Sequence, residues 1–353
     1  MKTLDLAMSR TDSIFDTKRT MKFHLELTDK CNAACPMCGR TKQMDRCLPD
    51  MTKVRNIELE LDLIKRNFTP ELCSKISEID LCGGLGDPPA ARECLEICEY
   101  FVGFGIKIIL SSNGGLRSET WWKRLGELFR GTESLVEFHI DGLHDTNHLY
   151  RVNTRFDKIM RNAQAYLESG AIGEWHFIPF QHNEHQLTEA LKLSREMGFS
   201  NFRVIDTIRF GKNDSFTYQL PDGSLQELNP ADPNLISALR NDTEEQEPAT
   251  HSENLEETPT IRCKSEIQNR PYIVATGAVS ACCWIEGSED ERRMYSKAGV
   301  DHGLSHNIRH RALEEILLEE PYRTVYPQAW AAQTNPVCVR KCAKMQRSRR
   351  SSM

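Results

Sequence analysis

Short strand-like segments alternate with helix-like segments through the first 205 residues of the chain. In the first segment the apolar residues Phe23, Leu25 and Leu27 alternate with polar ones, which is typical of a strand. The predicted strands cover residues 21–28, 76–81, 106–110, 135–140, 175–180 and 202–205. Helix-like patterns follow at about residues 57–64, 90–104, 120–128, 156–168 and 186–197. This order predicts six βα units in a parallel sheet, with functional groups at the carboxyl ends of the strands.

A cysteine-rich loop follows the first strand. Cys31, Cys35 and Cys38 are spaced C-x3-C-x2-C among small residues, which let the backbone approach a bulky inorganic group. Cysteine thiolates hold iron–sulfur clusters, and three of them leave one iron of a four-iron cluster open for a reactant. A zinc knuckle or a set of buried free thiols is the alternative, but zinc sites usually show paired C-x2-C ligands.

This loop resembles the cluster motif of radical S-adenosylmethionine (SAM) enzymes. In that family the residue before the third cysteine is commonly aromatic, whereas Met37 stands here. Methionine is apolar and adaptable, so we interpret the change as a tolerated variation. The resemblance implies a partial (β/α)6 TIM-like barrel that binds a 4Fe-4S cluster and SAM. It also implies that one electron, from a reductase or flavodoxin-type donor, splits SAM into methionine and a 5′-deoxyadenosyl radical, which abstracts a substrate hydrogen.

A glycine-rich segment after the second strand, residues 83–88, resembles the SAM-binding motif of the family, which normally ends Gly-Glu-Pro. The resemblance implies that the backbone at Gly84 and Gly86 reaches the SAM amino group. Asp87 would accept a hydrogen bond from that group, with a side chain one methylene shorter than the usual glutamate. Residues at later strand ends are expected to bind the SAM ribose and carboxylate: Ser112, Asn113, His139, Asp141 and Arg151. Each of these is alternatively a turn former or a solvated polar residue.

Other residues carry weaker signals. His182 and His185 are loosely spaced for metal ligands. Cys94 and Cys98 lie four residues apart, as expected for a buried helix face. The apolar residues 177–180 pack either against the SAM adenine or in the core, and a core role is commoner. Three further cysteines have no partner spacing and are expected to be inert: Cys47, Cys73 and Cys82.

The C-terminal part contains a second set of cysteines around a predicted hairpin at residues 272–282. This set resembles the SPASM or twitch extension of radical SAM enzymes. The resemblance implies one auxiliary 4Fe-4S cluster with four cysteine ligands: Cys263, Cys282, Cys338 and Cys342. Cys283 is an alternative to Cys282 as the second of these ligands. A full SPASM domain uses seven cysteines for two clusters, and the five here allow only one. A zinc site with four thiolate ligands is the alternative.

We therefore expect an α/β chain in which a partial (β/α)6 barrel is followed by a small cysteine-rich hairpin-and-helix domain. The expected segments are an N-terminal extension at 1–20, the radical SAM barrel at 21–205, an irregular acidic linker at 206–260, the SPASM/twitch-like domain at 261–345 and a basic tail at 346–353.

Composition narrows the class of protein. The net charge of −6 provides no basic field for nucleic acid or membranes, and no apolar run approaches the about 20 residues that span a bilayer. Residues 1–20 lack the apolar core of a signal peptide. With 13 cysteines and no secretory signal, metal binding or redox chemistry is favoured over disulfides, so a cytoplasmic location is expected, in the host cytoplasm if the chain is phage-encoded.

The motifs favour an enzyme over the non-enzyme alternative, an iron–sulfur electron-transfer or binding protein. Residues 111–117 and 141–151 resemble radical SAM proteins typical of bacteriophage genomes. This resemblance implies isomerisation of a glycine-bearing thymidine-type base in phage DNA hypermodification, for which the basic tail offers a phosphate contact. If the auxiliary cluster takes up an electron instead, the reaction is a net oxidation. A peptide or protein maturase is the alternative, although no recognisable leader-peptide-binding module precedes the barrel.

Overall fold

The computed structural model of the chain describes residues 13–207, 209–210, 215–235, 261–297, 299–300 and 305–343. The strands are β1 (Met21–Leu25), β2 (Thr41–Lys42), β3 (Leu48–Pro49), β4 (Ile76–Leu81), β5 (Lys107–Ser112), β6 (Leu135–His139), β7 (Ile172–Phe177), β8 (Asn201–Val204), β9 (Phe216–Gln219), β10 (Leu225–Leu228), β11 (Tyr272–Ile273) and β12 (Val279–Ser280).

The helices are α1 (Leu61–Asn67), α2 (Pro70–Cys73), α3 (Cys94–Val102), α4 (Glu119–Phe129), α5 (Asn147–Tyr150), α6 (Phe156–Leu167), α7 (Leu187–Met197), α8 (Lys264–Ile267), α9 (Glu289–Lys297), α10 (Leu313–Leu317), α11 (Val325–Ala331) and α12 (Pro336–Cys338). A π-helical turn, Val339–Ala343, follows the last of them.

The main sheet has eight strands in the order β12-β11-β1-β4-β5-β6-β7-β8. Neighbours from β5 to β8 are parallel, and the register aligns Ser111 with Glu137 and His139 with His176. Helices connect these strands, as parallel pairing requires. The predicted α/β class, a partial TIM-like barrel around a parallel sheet, is confirmed.

The chain divides into two compact units, and the larger one comprises Leu25–Leu61 and Ile79–Glu247. Helix α4 shows how this unit builds its core. Ser118 caps the helix by accepting a hydrogen bond from the Trp121 N–H at 3.3 Å. Its buried residues recur at helical spacing, and the Trp122 ring packs 5.1 Å from the ring of Phe138 on β6. The sheet face that carries Phe138 is therefore the apolar, helix-covered face.

The smaller unit comprises Met1–His24, Asp62–Glu78 and Pro248–Met353. In it the β11–β12 hairpin lies beside β1, and the Asn269 side chain donates to the carbonyls of Asp16 and Thr20. Buried aromatic rings form the core, with Tyr322 and Tyr326 stacked at 5.8 Å. This unit positions the C-terminal cysteines.

Some local features differ from the prediction, among them the strand predicted at 175–180, which the structure places at Ile172–Phe177. The helix expected at residues 57–64 begins only at Leu61, because the Leu59 N–H pairs with the Leu27 carbonyl at 2.8 Å and keeps the preceding residues extended. Two small hairpins, β2–β3 and β9–β10, were not predicted.

Much of the predicted acidic linker, at 236–260, lies outside the described residues, as do the basic tail at 346–353 and residues 1–12. The predicted domain boundaries stay a prediction. Among the described helices, none has both the length and the apolar character needed to cross a bilayer.

Candidate active site

The cysteine loop lies after β1, within the larger unit, and part of it packs in an apolar cluster. Met37 is buried in the same cluster as Tyr150, Val152 and Phe180, and Cys31 and Cys38 pack against it. Burial raises the pKa of Cys35 to about 11. Burial raises the pKa of Cys31 further, and the negative charges of Asp87 and of the neighbouring sulfurs add to that rise. The three thiols are therefore close enough for their charges to interact, with Cys35 buried and Cys31 and Cys38 half-buried.

The positive charge of Arg151 opposes the effect of burial on the pKa of Cys35. Its Nε donates to Asp141 Oδ2 at 2.6 Å, and a terminal nitrogen donates to Cys35 Sγ at 3.7 Å. Although burial opposes the charge, Asp141 and Cys35 raise the pKa of Arg151, so the guanidinium stays protonated. The other carboxylate oxygen of Asp141 accepts from the Ile178 N–H at 2.6 Å. Asp141 therefore holds the Arg151 guanidinium in place, and each of its oxygens keeps a lone pair for a further donor.

The glycine-rich loop after β4 lies directly against the cysteine loop. A Cβ atom on Gly86 would come 1.7 Å from the Thr28 carbonyl oxygen, so only glycine fits there. Gly84 lies exposed in the same turn. The carboxylate of Glu26 accepts from the N–H groups of Leu85 and Gly86 at 2.5 and 3.1 Å.

Glu26 was missed by the sequence reasoning, which placed it on the polar side of the first strand. It is buried, 3% exposed. Its position at the carboxyl end of that strand, just before the cysteine loop, is the signal that could have revealed it.

Asp87, Ser112 and Asn113 meet where β4 and β5 end. Asp87 accepts from the backbone N–H of Asn113 at 3.3 Å and from its side-chain amide at 3.2 Å. The same amide reaches Cys31 Sγ at 3.7 Å. Burial raises the pKa of Asp87 to about 6, and hydrogen bonds from Ser112 and Asn113 oppose the rise. Asp87 and Asn113, which were predicted to contact SAM from the ends of β4 and β5, thus lie next to Cys31.

His139 occupies a different setting, on the polar face of β6. It lies 3.9 Å from the carboxylate of Glu137, and its ring centroid is 5.1 Å from that of His176 on β7. Burial, with a smaller effect of the Arg151 guanidinium, holds the pKa of His139 well below its usual range. Sequence reasoning missed Glu137 and His176, because two-residue spacing on neighbouring strands becomes a cluster only through the register of the sheet.

The four predicted auxiliary ligands come together in the smaller unit. The thiol of Cys263 and the sulfur of Cys342 share a hydrogen bond, which raises the pKa of the first and lowers that of the second. Cys282 and Cys338 lie close enough for their charges to interact. Cys283 is exposed, whereas Cys282 also interacts with Cys263. This arrangement favours Cys282 over Cys283.

The weaker candidates have structural roles. His182 stacks on Phe180, with ring centroids 5.4 Å apart, and within the described residues His182 and His185 belong to no group that could hold a metal ion. Cys94 and Cys98 lie on the buried face of α3. Phe177 and Phe180 are fully buried, which agrees with a core role.

Both cysteine sets fit the groups that the sequence predicts. The loop at Cys31 supplies three mutually close sulfurs, N–H donors to two of them, and glycine where the neighbouring loop needs room. Sulfur-directed hydrogen bonds and low solvent exposure are features that tune iron–sulfur clusters. The C-terminal set supplies four sulfurs, which suits a 4Fe-4S cluster and zinc equally.

The fold of this chain is similar to that of several solved structures. The structure of Streptococcus suis SuiB bound to S-adenosylmethionine matches with a TM-score of 0.59 and 12% identity, over 91% of this chain and 71% of that one. The structure of native anSMEcpe with bound AdoMet and Cp18Cys peptide matches with a TM-score of 0.54 and 16% identity, over 85% and 80%. SuiB bound to precursor peptide SuiA matches at 0.56 and 12%, over 86% and 66%. These neighbours are radical SAM enzymes.

This chain shares the fold of these structures. No family model and no curated protein matches the sequence. At 12–16% identity the likeness fixes the fold, and the chemistry of the site must be argued from the chain's own residues. In this chain the cysteine loop and the ends of β4, β5 and β6 meet through Asn113 and Arg151.

Proposed function

We propose that this chain is a radical SAM enzyme, with a 4Fe-4S cluster held by Cys31, Cys35 and Cys38. The observation that carries the proposal is the position of Asn113, whose amide reaches both Cys31 Sγ and Asp87 Oδ2. One side chain thereby joins the cysteine loop to the two strand ends where the SAM contacts are predicted. When bound and reduced, the cluster and SAM supply a 5′-deoxyadenosyl radical that abstracts a substrate hydrogen.

The chain's own residues would bind and orient SAM. The Asp87 carboxylate, which accepts hydrogen bonds from Asn113, would accept a further one from the SAM amino group, beside the backbone of Gly84 and Gly86 in the same loop. Ser112 and Asn113 extend this polar edge, and Arg151, held by Asp141, directs positive charge at Cys35. The apolar cluster around Met37 and Phe180 excludes water, which protects a reactive radical.

We propose that Cys263, Cys282, Cys338 and Cys342 hold a second 4Fe-4S cluster. Support comes from their convergence and from the exposure of Cys283. An external reductase or flavodoxin-type protein is the proposed electron donor.

Two substrate classes remain as proposals. A peptide is supported by two neighbours of the same fold that were solved with peptides, SuiA and Cp18Cys. A glycine-bearing thymidine-type base in phage DNA, with isomerisation as the reaction, is supported by the sequence of residues 111–117 and 141–151. Six basic residues near the C-terminus are proposed to contact its phosphates. Arg340 and Lys341 are described, whereas Lys344 and three residues of the basic tail, Arg347, Arg349 and Arg350, lie outside the described residues.

Deuterium transfer tests both the function and the substrate. The reduced, reconstituted protein is incubated with SAM and either an oligonucleotide carrying deuterated glycyl-thymidine or a library of deuterated peptides. Deuterium in 5′-deoxyadenosine from one substrate and not the other assigns the class. Formation of 5′-deoxyadenosine without deuterium from either would contradict both classes while leaving the radical chemistry in place.

A further inference from the structure

The proposed SAM chemistry does not use the polar face of β6 and β7. On the opposite face, Val136, Phe138 and Trp175 are fully buried, as expected for a helix-covered parallel sheet. The register places Glu137 beside Glu174 and His139 beside His176 on the polar face. Partial burial of two carboxylates and two imidazoles costs free energy unless they are paired or bind an ion. Glu174 is paired with His176 at 3.0 Å and lies 3.9 Å from Arg203, whereas Glu137 lies 3.9 Å from each imidazole.

Three side chains on this face direct ligand atoms into one gap. Glu137 Oε2 lies 3.9 Å from His139 Nε2 and 3.9 Å from His176 Nδ1, and all three atoms are within 4.8 Å of one another. These separations are too long for direct hydrogen bonds. The two separations of 3.9 Å exceed the about 3–3.4 Å between ligand atoms that each lie about 2.0–2.1 Å from one metal ion, and the imidazole nitrogens, within 4.8 Å of each other, must also approach. Small side-chain rotations would close the difference.

The surrounding hydrogen bonds orient these atoms. His176 Nε2 lies 3.0 Å from Glu174 Oε2, so its Nε2 carries the hydrogen and its Nδ1 presents a lone pair to the gap. The hydroxyl of Ser111 donates to Glu137 Oε2 at 2.5 Å. A carboxylate that accepts from the far nitrogen of a histidine is the usual support of a metal-binding imidazole.

We propose that Glu137, His139 and His176 bind a divalent transition-metal ion. Two imidazoles and one carboxylate on adjacent strands form a ligand set that leaves coordination positions open. An oxygen or nitrogen atom of a substrate can occupy an open position, so the ion anchors a polar group on the polar face of the sheet. This assignment replaces the SAM contact that the sequence predicted for His139. Its ligands are distinct from the thiols of the cysteine loop, although Arg151 is near enough to His139 for its charge to act on that ring. Its readout, nitrogen-coupled Mn²⁺, is independent of SAM cleavage.

Manganese binding to the anaerobically reconstituted full-length protein tests the site. Filling the iron–sulfur sites first occupies their thiols, and Mn²⁺ suits carboxylate ligands rather than thiolates. The loss of the free Mn²⁺ signal in electron paramagnetic resonance measures binding, and pulsed measurements detect nitrogen nuclei coupled to the bound ion. We expect one Mn²⁺ per chain, with nitrogen coupling from two imidazoles.

Variants assign the ligands. Glu137→Gln should weaken Mn²⁺ binding more than 10-fold, and His176→Gln should also remove the coupling of one imidazole. Glu174→Gln keeps all three ligands and should weaken binding about 10–100-fold. The control His185→Gln/Glu189→Gln removes an exposed histidine and an exposed carboxylate of the same unit and should bind like the wild type. Iron content equal to that of the wild type shows that each variant folds.

Two results would overturn the proposal. One is the absence of nitrogen-coupled Mn²⁺ in the wild type. Glu137, His139 and His176 would then serve in proton transfer or hydrogen bonding to a substrate. The other is equal loss of binding in the control and in Glu137→Gln, which would mean that surface carboxylates hold the ion.

Discussion

The Arg151 guanidinium and the Asp141 carboxylate form a buried ion pair, with Nε and Oδ2 2.6 Å apart and side chains 14% and 0% exposed. The pair connects the end of β6 to the cysteine loop, because Arg151 also donates to Cys35 Sγ. A positive charge fixed beside a cysteine that ligates a cluster lowers the cost of burying thiolates. The pair therefore contributes both to the stability of the fold and to the stabilisation of the buried thiolates, and its removal should affect both.

Replacing Arg151 with methionine should lower the free energy of unfolding by about 3–5 kcal/mol, because Asp141 is left as a buried charge without its partner. Urea unfolding followed by tryptophan fluorescence measures the change. The matched control is Arg161→Met, which removes an exposed ion pair with Glu119 at 3.0 Å and should cost no more than about 1 kcal/mol. Similar losses in the two variants would contradict the importance of the buried pair.

Replacing Asp87 with asparagine should weaken SAM binding about 10–150-fold. The amide still accepts from the Asn113 N–H, so the fold is kept, while a charge-assisted hydrogen bond worth about 1.5–3 kcal/mol is lost. Alanine is a poorer choice because it would leave the buried donors of Asn113 without this acceptor. Isothermal titration of SAM into the reconstituted variant measures the effect, with the exposed Asp157→Asn as control. An unchanged dissociation constant for Asp87→Asn would refute the contact.

The neighbouring cysteines 282 and 283 provide a test of the auxiliary site. The wild type should contain about eight irons per chain after anaerobic reconstitution. Cys282→Ser should reduce this to about four, whereas Cys283→Ser should retain about eight, because Cys283 is exposed. Metal analysis should find iron in the C-terminal site. Stoichiometric zinc in the wild type that is lost in Cys282→Ser would contradict the auxiliary cluster and indicate a zinc site.

His182 should make the cluster-free protein sensitive to mild acid. Burial, followed by the charges of His185 and His148, lowers the pKa of His182 to about 4, below the value near 6.5 of an unfolded chain. The unfolded state therefore binds more protons between pH 6.5 and 4, and the stability that His182 contributes is lost as the pH falls through this range. The urea midpoint should decline more steeply below pH 6.5 in the wild type than in His182→Gln. Parallel declines would contradict this origin.

Local patterns were sufficient for much of the fold. The strand predicted at residues 76–81 is β4, and the helix predicted at 156–168 is α6 within one residue. In both, the period of apolar residues and the flanking turn residues act over short distances along the chain. The approach of the glycine-rich loop to the cysteine loop also followed, because parallel strands bring their carboxyl ends to one edge.

Long-range pairing could not be predicted in the same way. The β11–β12 hairpin, expected as part of a separate domain, lies beside β1 in the sheet, with the His24 N–H donating to the Pro271 carbonyl at 3.0 Å. The same limit hid Glu26 and the Glu137–His176 cluster. Their roles arise from partners on other strands, which no pattern within one segment specifies.

Reductive cleavage of SAM tests the central claim most directly. The reconstituted wild type is incubated anaerobically with SAM and dithionite, and 5′-deoxyadenosine and methionine are quantified by liquid chromatography and mass spectrometry. We predict equal amounts of both products from the wild type and from the control Cys283→Ala. The variant Cys31→Ala/Cys35→Ala/Cys38→Ala should yield neither product while retaining about four irons. Failure of the wild type to form 5′-deoxyadenosine with its iron sites filled, or undiminished formation in the triple variant, would contradict the account.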